Sequence, residues 1–591
     1  MERSSKLVRE KFWETLLAAL GMAGSIAIAS IVDRIMVGIF LGSHALAALS
    51  LNSPVICVIN MIFDLFVFGG NTLAVSLKAK RDQTGANREF TIAIVLSTVL
   101  MSVIVAVGIV FRGQIAGVLC SSNAQLLLPV QEYLVPLLVL GILALPVNGT
   151  CAFVRVDGLQ KLAILVPAVA NAVNLLFDYI FMGILHLGIA SAGWSTVIGY
   201  LVGALCLIPY LRSEKRSFFF DRTALTKLAL LVQTARTGLS SALVDASQFI
   251  QAITMNLIIV TTFGVTGAQV GAVCISALSV AGIFFMGTTQ TMLPIGSALY
   301  GEKDYTGLRA VMKTGFFMTE GFMIAIVVLL EVFARPFGRV FNVTSPEAVA
   351  LLDTAFRLYL LSLPLVGAQE CLRVTLQATD RENTASVLTG CAGTICFVPV
   401  IWLLARFSPM LLWLSFSIAA VLAVGGCLFF LSLKAKKKGQ KGRILFPEAQ
   451  TDIPSFEFTI RNTIQDAEEA SVRMITLCRE KGMADRIANV LGVAVEELCT
   501  NIAKYAYRNR EDAVDIFFRI EEEELLLRIR DNGVIFNPVT FVDDRGMEVT
   551  GLKVLKKLPL KVEYNRVLGF NNTIITIMQA SENETGGIHS S

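Results

Sequence analysis

Two groups of residues in this 591-residue chain have types and spacings that could do chemistry. The first is acidic and lies in apolar surroundings. Asp33 sits deep in IASIVDRIMVGIFLG, and Asn171, Asn174 and Asp178 sit in PAVANAVNLLFDYIFMG, with Asp245, Asp64, Glu320 and Glu331 in further apolar runs. The spacings of three, four and seven among Asn171, Asn174 and Asp178 place all three on one helix face. A carboxylate in a low-dielectric cavity can carry a proton or trade it for a cation, and its burial is costly enough to mark an ion or substrate pathway. Asp33, Asn171, Asn174, Asp178 and Asp245 are the candidates for that role. The structural alternatives are pairing of Asp33 with Arg34 near an interface and helix-to-helix hydrogen bonding by Asn174 and Asp178. For Asp64, Glu320 and Glu331 a structural role weighs at least as much as a functional one, with snorkelling at a helix end as the structural alternative for Glu331.

The second group lies near the C-terminus. Glu497 and Asn501 stand four apart on a helical pattern and so face one way. A carboxylate there can activate water or a hydroxyl, and an amide oxygen can ligate Mg²⁺, a hard cation. Asp531-Asn532-Gly533 follows a strand pattern, where an acceptor-only carboxylate suits an adenine amino group. Gly546 and Gly551 bracket a loop leading into a helix, whose amides and N-terminus would hold phosphates. Taken singly, each is an ordinary surface feature. Their order along the chain raises the signal.

The elements that must position these residues fall into two halves. Mean hydropathy is +0.67 with 16% charged residues, so most of the chain is written for lipid. The net charge of +4, spread over many loops, makes no case for nucleic acid. The eleven cysteines lie singly, with no CxxC or Cys/His spacing, so neither zinc nor a disulfide framework is expected. The basic N-terminus precedes an apolar run long enough to span, so no cleavable signal peptide is expected. Twelve stretches satisfy the length of about 20 apolar residues per span, near 15–40, 47–72, 91–112, 131–152, 162–183, 190–211, 238–262, 269–294, 314–333, 354–376, 385–405 and 409–432. Lys and Arg cluster before the first span and after each even-numbered one. They end in Lys434, Lys436, Lys437, Lys438, Lys441 and Arg443, a run that orients the last span and tethers the soluble segment beyond it. This places both termini in the cytoplasm, with the protein multi-pass in the plasma membrane.

The spans repeat at an offset of about 218 residues. FVFGGNTLAVSLKAKRDQTGANRE echoes FFMGTTQTMLPIGSALYGEKDYTGLR, and LPVNGTCAFVRVDGLQK echoes LPLVGAQECLRVTLQATDRE. Each echo falls on an even-numbered span, which implies two parallel six-helix lobes, 1–222 and 223–433, around a central cavity. After a basic linker at 434–450, alternation and charge mark a soluble domain at 451–582, with a disordered tail at 583–591. Strands are expected at Ser455–Arg461, Val514–Ile520, Glu524–Arg530, Leu560–Tyr564 and Thr573–Met578. Helices are expected at Ile464–Lys481, Met483–Tyr507 and Gly551–Leu558, making an α/β sandwich with helices on one face of a largely antiparallel sheet.

VDRIMVGIFLGSHALAALSLNSPV (32–55) and the Asn171 to Tyr179 pattern N-x2-N-x3-D-Y resemble the first and fifth helices of the multidrug and toxic compound extrusion (MATE) family. The resemblance implies a V-shaped twelve-helix antiporter that exports drug-like, often cationic, compounds against inward H⁺ or Na⁺. It makes Asp33, Asn174 and Asp178 an N-lobe cation site, with Asp245 standing for an acidic residue some members carry in the seventh helix. EELCTN (496–501), IRDNGVIFNP (529–538) and GMEVTGLKVL (546–555) resemble the GHKL ATPase superfamily, in particular the serine/threonine kinases that act as anti-sigma factors. That resemblance implies ATP and Mg²⁺, with Glu497 as base, Asn501 on the metal, Asp531 and Gly533 at adenine, and Gly551 in the phosphate loop. One expectation is an antiporter with a regulatory ATP-binding kinase-like domain. The alternative is a membrane-anchored sensor kinase that phosphorylates a small partner protein. ATP-driven transport is disfavoured, because no Walker A pattern occurs.

Overall fold

The computed structural model describes residues 4, 6–42, 45, 48–49, 51–120, 124–214, 216–226, 228–340, 345–437, 445, 455–507, 511–521, 524–541 and 560–578. Helix α1 covers Lys6–Leu41. Eleven further helices among the described residues are long and apolar enough to cross a membrane. They are α2 Ser53–Ala79, α3 Gln83–Val110, α4 Leu126–Val156, α5 Gln160–Ile184, α6 Ala190–Arg212, α7 Ala229–Gly264, α8 Val273–Gly301, α9 Tyr305–Val332, α10 Pro346–Ala378, α11 Glu382–Phe407 and α12 Pro409–Lys437. With α1 they make the expected twelve. Several run beyond the apolar stretches that mark them, because backbone hydrogen bonding continues into polar residues until a cap stops it. Lys434, Lys436 and Lys437 accordingly close α12 rather than opening the linker. Between α7 and α8 the chain breaks at Gly264, whose φ of 63° and ψ of −147° suit glycine alone.

The repeat is visible as one turn used twice. At the exit of α2, Arg81 takes φ 70° and the Asp82 carboxylate accepts from Gly85 N at 2.7 Å. At the exit of α8, Lys303 takes φ 58° and Asp304 accepts from Gly307 N at 2.8 Å. Each carboxylate caps the N-terminus of the next helix. The two lobes meet toward the end of the bundle that carries these basic turns. There Arg155 donates to Gln290 Oε1 at 3.2 Å, and Lys80 pairs with Asp380 at 3.4 Å.

The C-terminal domain is a five-stranded antiparallel sheet ordered β1-β2-β3-β5-β4. The strands are β1 Ser455–Arg461, β2 Ala513–Ile520, β3 Glu524–Asp531, β4 Lys561–Val567 and β5 Phe570–Met578. Helices α13 Ile464–Glu480 and α14 Asp485–Asn501 cover one face. Phe458, Ile516, Phe518, Leu527, Ile529 and Ile575 pack beneath them. Strands β4 and β5 each run three residues further toward their shared turn than expected. Leu568 (φ 56°) and Gly569 (φ 87°) form a two-residue turn of the hairpin-favouring hand, and pairing recruits Asn571 and Asn572 despite their poor strand propensity. The other sheet face is not left to water, as antiparallel sheets commonly allow. Strands β2 and β3 are buried on both faces, because that second face lies against the basic end of the bundle. The expected helix Gly551–Leu558 and the loop beyond Phe541, with Gly546 and Gly551, lie outside the described residues.

Candidate functional sites

The first site is built by α1, α5 and α6. The register of α5 puts Asn174 and Asp178 on its buried face, with Asn171 one turn earlier and half-buried. Asn174 Nδ2 donates to Asp178 at 3.2 Å, to Ser195 Oγ at 3.2 Å and to Thr196 Oγ1 at 3.1 Å. Ser195 Oγ also donates to the Asp178 carboxylate. Asp33 comes from α1 to within hydrogen-bonding range of Asp178, with Tyr133 close by; its neighbour Arg34 interacts more weakly. Asn171 is committed elsewhere, donating to Ser25 Oγ at 2.9 Å and Ser25 O at 3.2 Å. The structure therefore joins Asp33, Asn174 and Asp178 and sets Asn171 at the margin. Sequence reasoning missed Ser195 and Thr196. Small hydroxyl residues in an apolar helix carry no signal until their partner helix is known.

The second cluster lies in and beside the C-lobe. Asp245 of α7 does not stand alone: the Asp64 carboxyl of α2 interacts with it across the lobe boundary, with Glu370 and Arg373 of α10 alongside. Arg373 donates to Glu370 at 2.7 Å, to Ser241 Oγ at 3.2 Å and to Gln377 Oε1 at 3.1 Å. Asp64, for which the sequence left structural and functional roles both open, thus shares Asp245's surroundings. Arg373 and Gln377 sit in the second sequence echo, and that was the available signal. Glu331 pairs with exposed Arg357 at 2.7 Å.

The third site is in the C-terminal domain. Asp531, at the end of β3, is buried and accepts from Gly533 N and from Asn571 Nδ2, both at 2.8 Å. Burial pushes its carboxyl up to about 6, against the Asn571 and Gly533 hydrogen bonds that hold it down. Gly533 is required here by close approach, since a Cβ would lie 2.5 Å from Ala506 O. Tyr507 Oη accepts from Asn532 N at 2.9 Å and fixes the same turn. Asn501 is buried on α14 and donates Nδ2 to Glu497 O at 2.6 Å, which leaves its amide oxygen for a cation. Among the described residues no group of three His, Cys, Asp or Glu is placed to hold a metal. Mg²⁺ at Asn501 would need phosphate and water oxygens to complete its shell, the usual arrangement for this ion.

Comparison with known proteins agrees with this division. The MatE family model matches residues 20–180 and 240–403, and the histidine kinase-like ATPase domain model matches 461–578. The chain is 23% identical over 392 residues to the multidrug export protein MepA of Staphylococcus haemolyticus, covering 65% of this chain and 84% of that one. It is 20% identical over 376 residues to MepA of Staphylococcus aureus, covering 63% and 82%. A MOP superfamily transporter from Pyrococcus furiosus superposes with a TM-score of 0.67 at 19% identity, over 74% of this chain and all of that one. The MATE transporter VcmN of Vibrio cholerae in its bent form gives 0.66 at 17% identity, over 74% and 99%.

Proposed function

The chain belongs to the MatE family, and from that premise we propose that it is a cation-coupled antiporter of the plasma membrane. It exports small organic, often cationic, compounds against inward H⁺ or Na⁺. The observation that carries this is the meeting of Asp33 and Asp178 inside the N-lobe. Two carboxyl groups at hydrogen-bonding range stay together only with a proton or a cation between them, and separate or re-pair when it leaves. Asn174 and Ser195 hold Asp178 in place for that exchange. Alternating access is then a rocking of the two lobes about the central site. The basic end, with both chain halves docked at it, faces the cytoplasm. The deciding experiment is ethidium efflux from cells carrying the full chain, beside Asp33→Asn and Asp178→Asn. Loss of efflux with unchanged expression is expected from both. Full efflux in either variant would sink the reading.

The C-terminal domain binds ATP with Mg²⁺ and regulates the transporter. Asp531 would take the adenine amino group, Asn501 the metal, and Glu497 would stand ready to take a hydroxyl proton. A second reading, phosphorylation of a small partner protein by a membrane-anchored kinase, draws on Glu497 lying one turn from Asn501. Glu497→Ala separates the two: it leaves efflux intact and removes any serine phosphorylation that depends on this chain.

A further inference from the structure

The outer face of the C-terminal sheet grips both lobes at once. Against the N-lobe, Leu568 N donates to Val156 O at 2.7 Å, and the Leu568 side chain is buried with Phe12, Phe153 and Val156. Arg81, at the exit of α2, reaches Glu563 at 3.2 Å and Thr576 Oγ1 at 3.2 Å. Against the C-lobe, Arg530 donates to Asp304 at 2.8 Å and to Glu302, and Arg528 donates to Glu302 O at 3.0 Å. Lys303 pairs with Glu521 at 2.9 Å. Asp304 and Arg530 side chains are wholly buried in this contact.

These anchors sit on one hydrogen-bonded sheet. β3 carries Arg528 and Arg530, and β5 links β3 to β4, which carries Glu563. A sheet is stiff on the scale of a lobe movement. The lobe seam lies directly beneath it, where Gly301 of α8 approaches Ser76 of α2 so closely that a Cβ would stand 2.8 Å from Ser76 O. We propose that the C-terminal domain is a clamp across the basic end of the transporter, and that the lobes can part there only when the domain lets go of one of them. This rests on the alternating-access reading above. It also gives the nucleotide site a route to the seam. Asp531 follows Arg530 on the same strand and faces the opposite side, so a ligand that binds docked and undocked domains unequally shifts the seam by that same difference.

The test uses charge exchange at the two half-exposed pairs, which leaves the membrane-spanning helices and the nucleotide site unsubstituted. Ser76→Cys reports the seam through its rate of maleimide modification, read by peptide mass in membranes holding the full chain. Arg81→Glu and Lys303→Glu each turn an attraction into a repulsion and are expected to speed labelling roughly fivefold, the equivalent of about 1 kcal/mol for such a pair. The exchanges Arg81→Glu with Glu563→Arg, and Lys303→Glu with Glu521→Lys, restore the slow rate and show that the single variants were folded. Unchanged labelling in both single variants overturns the clamp, as does fast labelling that neither exchange slows. Ethidium efflux in the same membranes is read in parallel. Absent efflux with the labelling pattern intact removes the transport reading and leaves the clamp standing; the reverse removes the clamp alone.

Discussion

Adding one methyl group at Gly238 should loosen the lobe seam. Gly238 of α7 packs on the backbone of α2, and a Cβ there would lie 2.2 Å from Leu65 O and 2.4 Å from Asp64 O. A carbon and a carbonyl oxygen need about 3.3 Å. The shortfall is therefore about 1 Å at each oxygen. Both obstacles are main chain, inside the π-helical turn Phe63–Phe68, so no rotamer can yield. The facing glycine is no more tolerant: a Cβ on Gly69 would stand 2.5 Å from Thr234 O. α2 and α7 must separate, and overpacking of this kind costs about 1–3 kcal/mol. At about 1.4 kcal/mol per tenfold, Gly238→Ala lowers the population closed at the basic end by roughly 5- to 150-fold. The assay is maleimide modification of Ser76→Cys in membranes, with Gly282→Ala as the control, because Gly282 of α8 has nothing within 4 Å of its Cβ position. Faster labelling in Gly238→Ala than in the control is expected. Equal rates would refute the argument that this close approach holds the lobes together.

Other consequences are as direct. Asn174→Ala removes three hydrogen bonds around Asp178, whereas Asn171→Ala removes only the link to Ser25, so efflux should fall at least severalfold further in the first; equal losses would remove Asn174 from the site. The Asp531 carboxyl titrates near 6, above its ordinary value, so two opposite slopes are expected. Its contribution to domain stability is full below the unfolded value near 4 and is lost as pH rises through about 6, while nucleotide affinity, which needs the ionised acceptor, falls as pH drops through 6. Asp531→Asn should flatten the first slope in thermal unfolding, and a fluorescent ATP analogue reads the second. Arg530→Met takes the shared guanidinium from buried Glu302 and Asp304; Glu302 keeps Arg528 and the Asn572 amide, and Asp304 keeps the Gly307 N–H. Loss of one partner from such a group costs about 3–5 kcal/mol, and Arg528 should keep it near the lower figure in denaturant melts of the full chain. Burial alone would lower the Arg530 guanidinium, but Glu302 and Asp304 outweigh it and hold the group above its usual value, so neutralisation offers no escape.

Local pattern made much of this protein legible. Twelve apolar stretches became twelve long helices, because length and hydropathy are properties of the stretch itself. SFEFTIR became β1 at the expected residues, and the α13 helix ended at Gly482 with φ 75°, because alternation and a left-handed C-terminal residue are likewise local. The echo of Arg81-Asp82 in Lys303-Asp304 was readable as a repeat, and the i, i+3, i+7 spacing on α5 put Asn174 and Asp178 together.

What the tertiary structure alone decided are the meetings between distant segments. Strand alternation places Arg528 and Arg530 on the outer face of the sheet, where the default for arginine is water. Nothing local says that Glu302 O and Asp304, 226 residues earlier, lie against them. Asp64 gained its acidic neighbour only when α2 met α7, and Leu568 accepted a left-handed backbone because the bundle buries its side chain. The energy of a charge or a strained turn depends on what faces it in space. The sequence by itself therefore determined the elements, their faces and the residues able to do chemistry, and the packing of lobes and domain decided which of them act on one another.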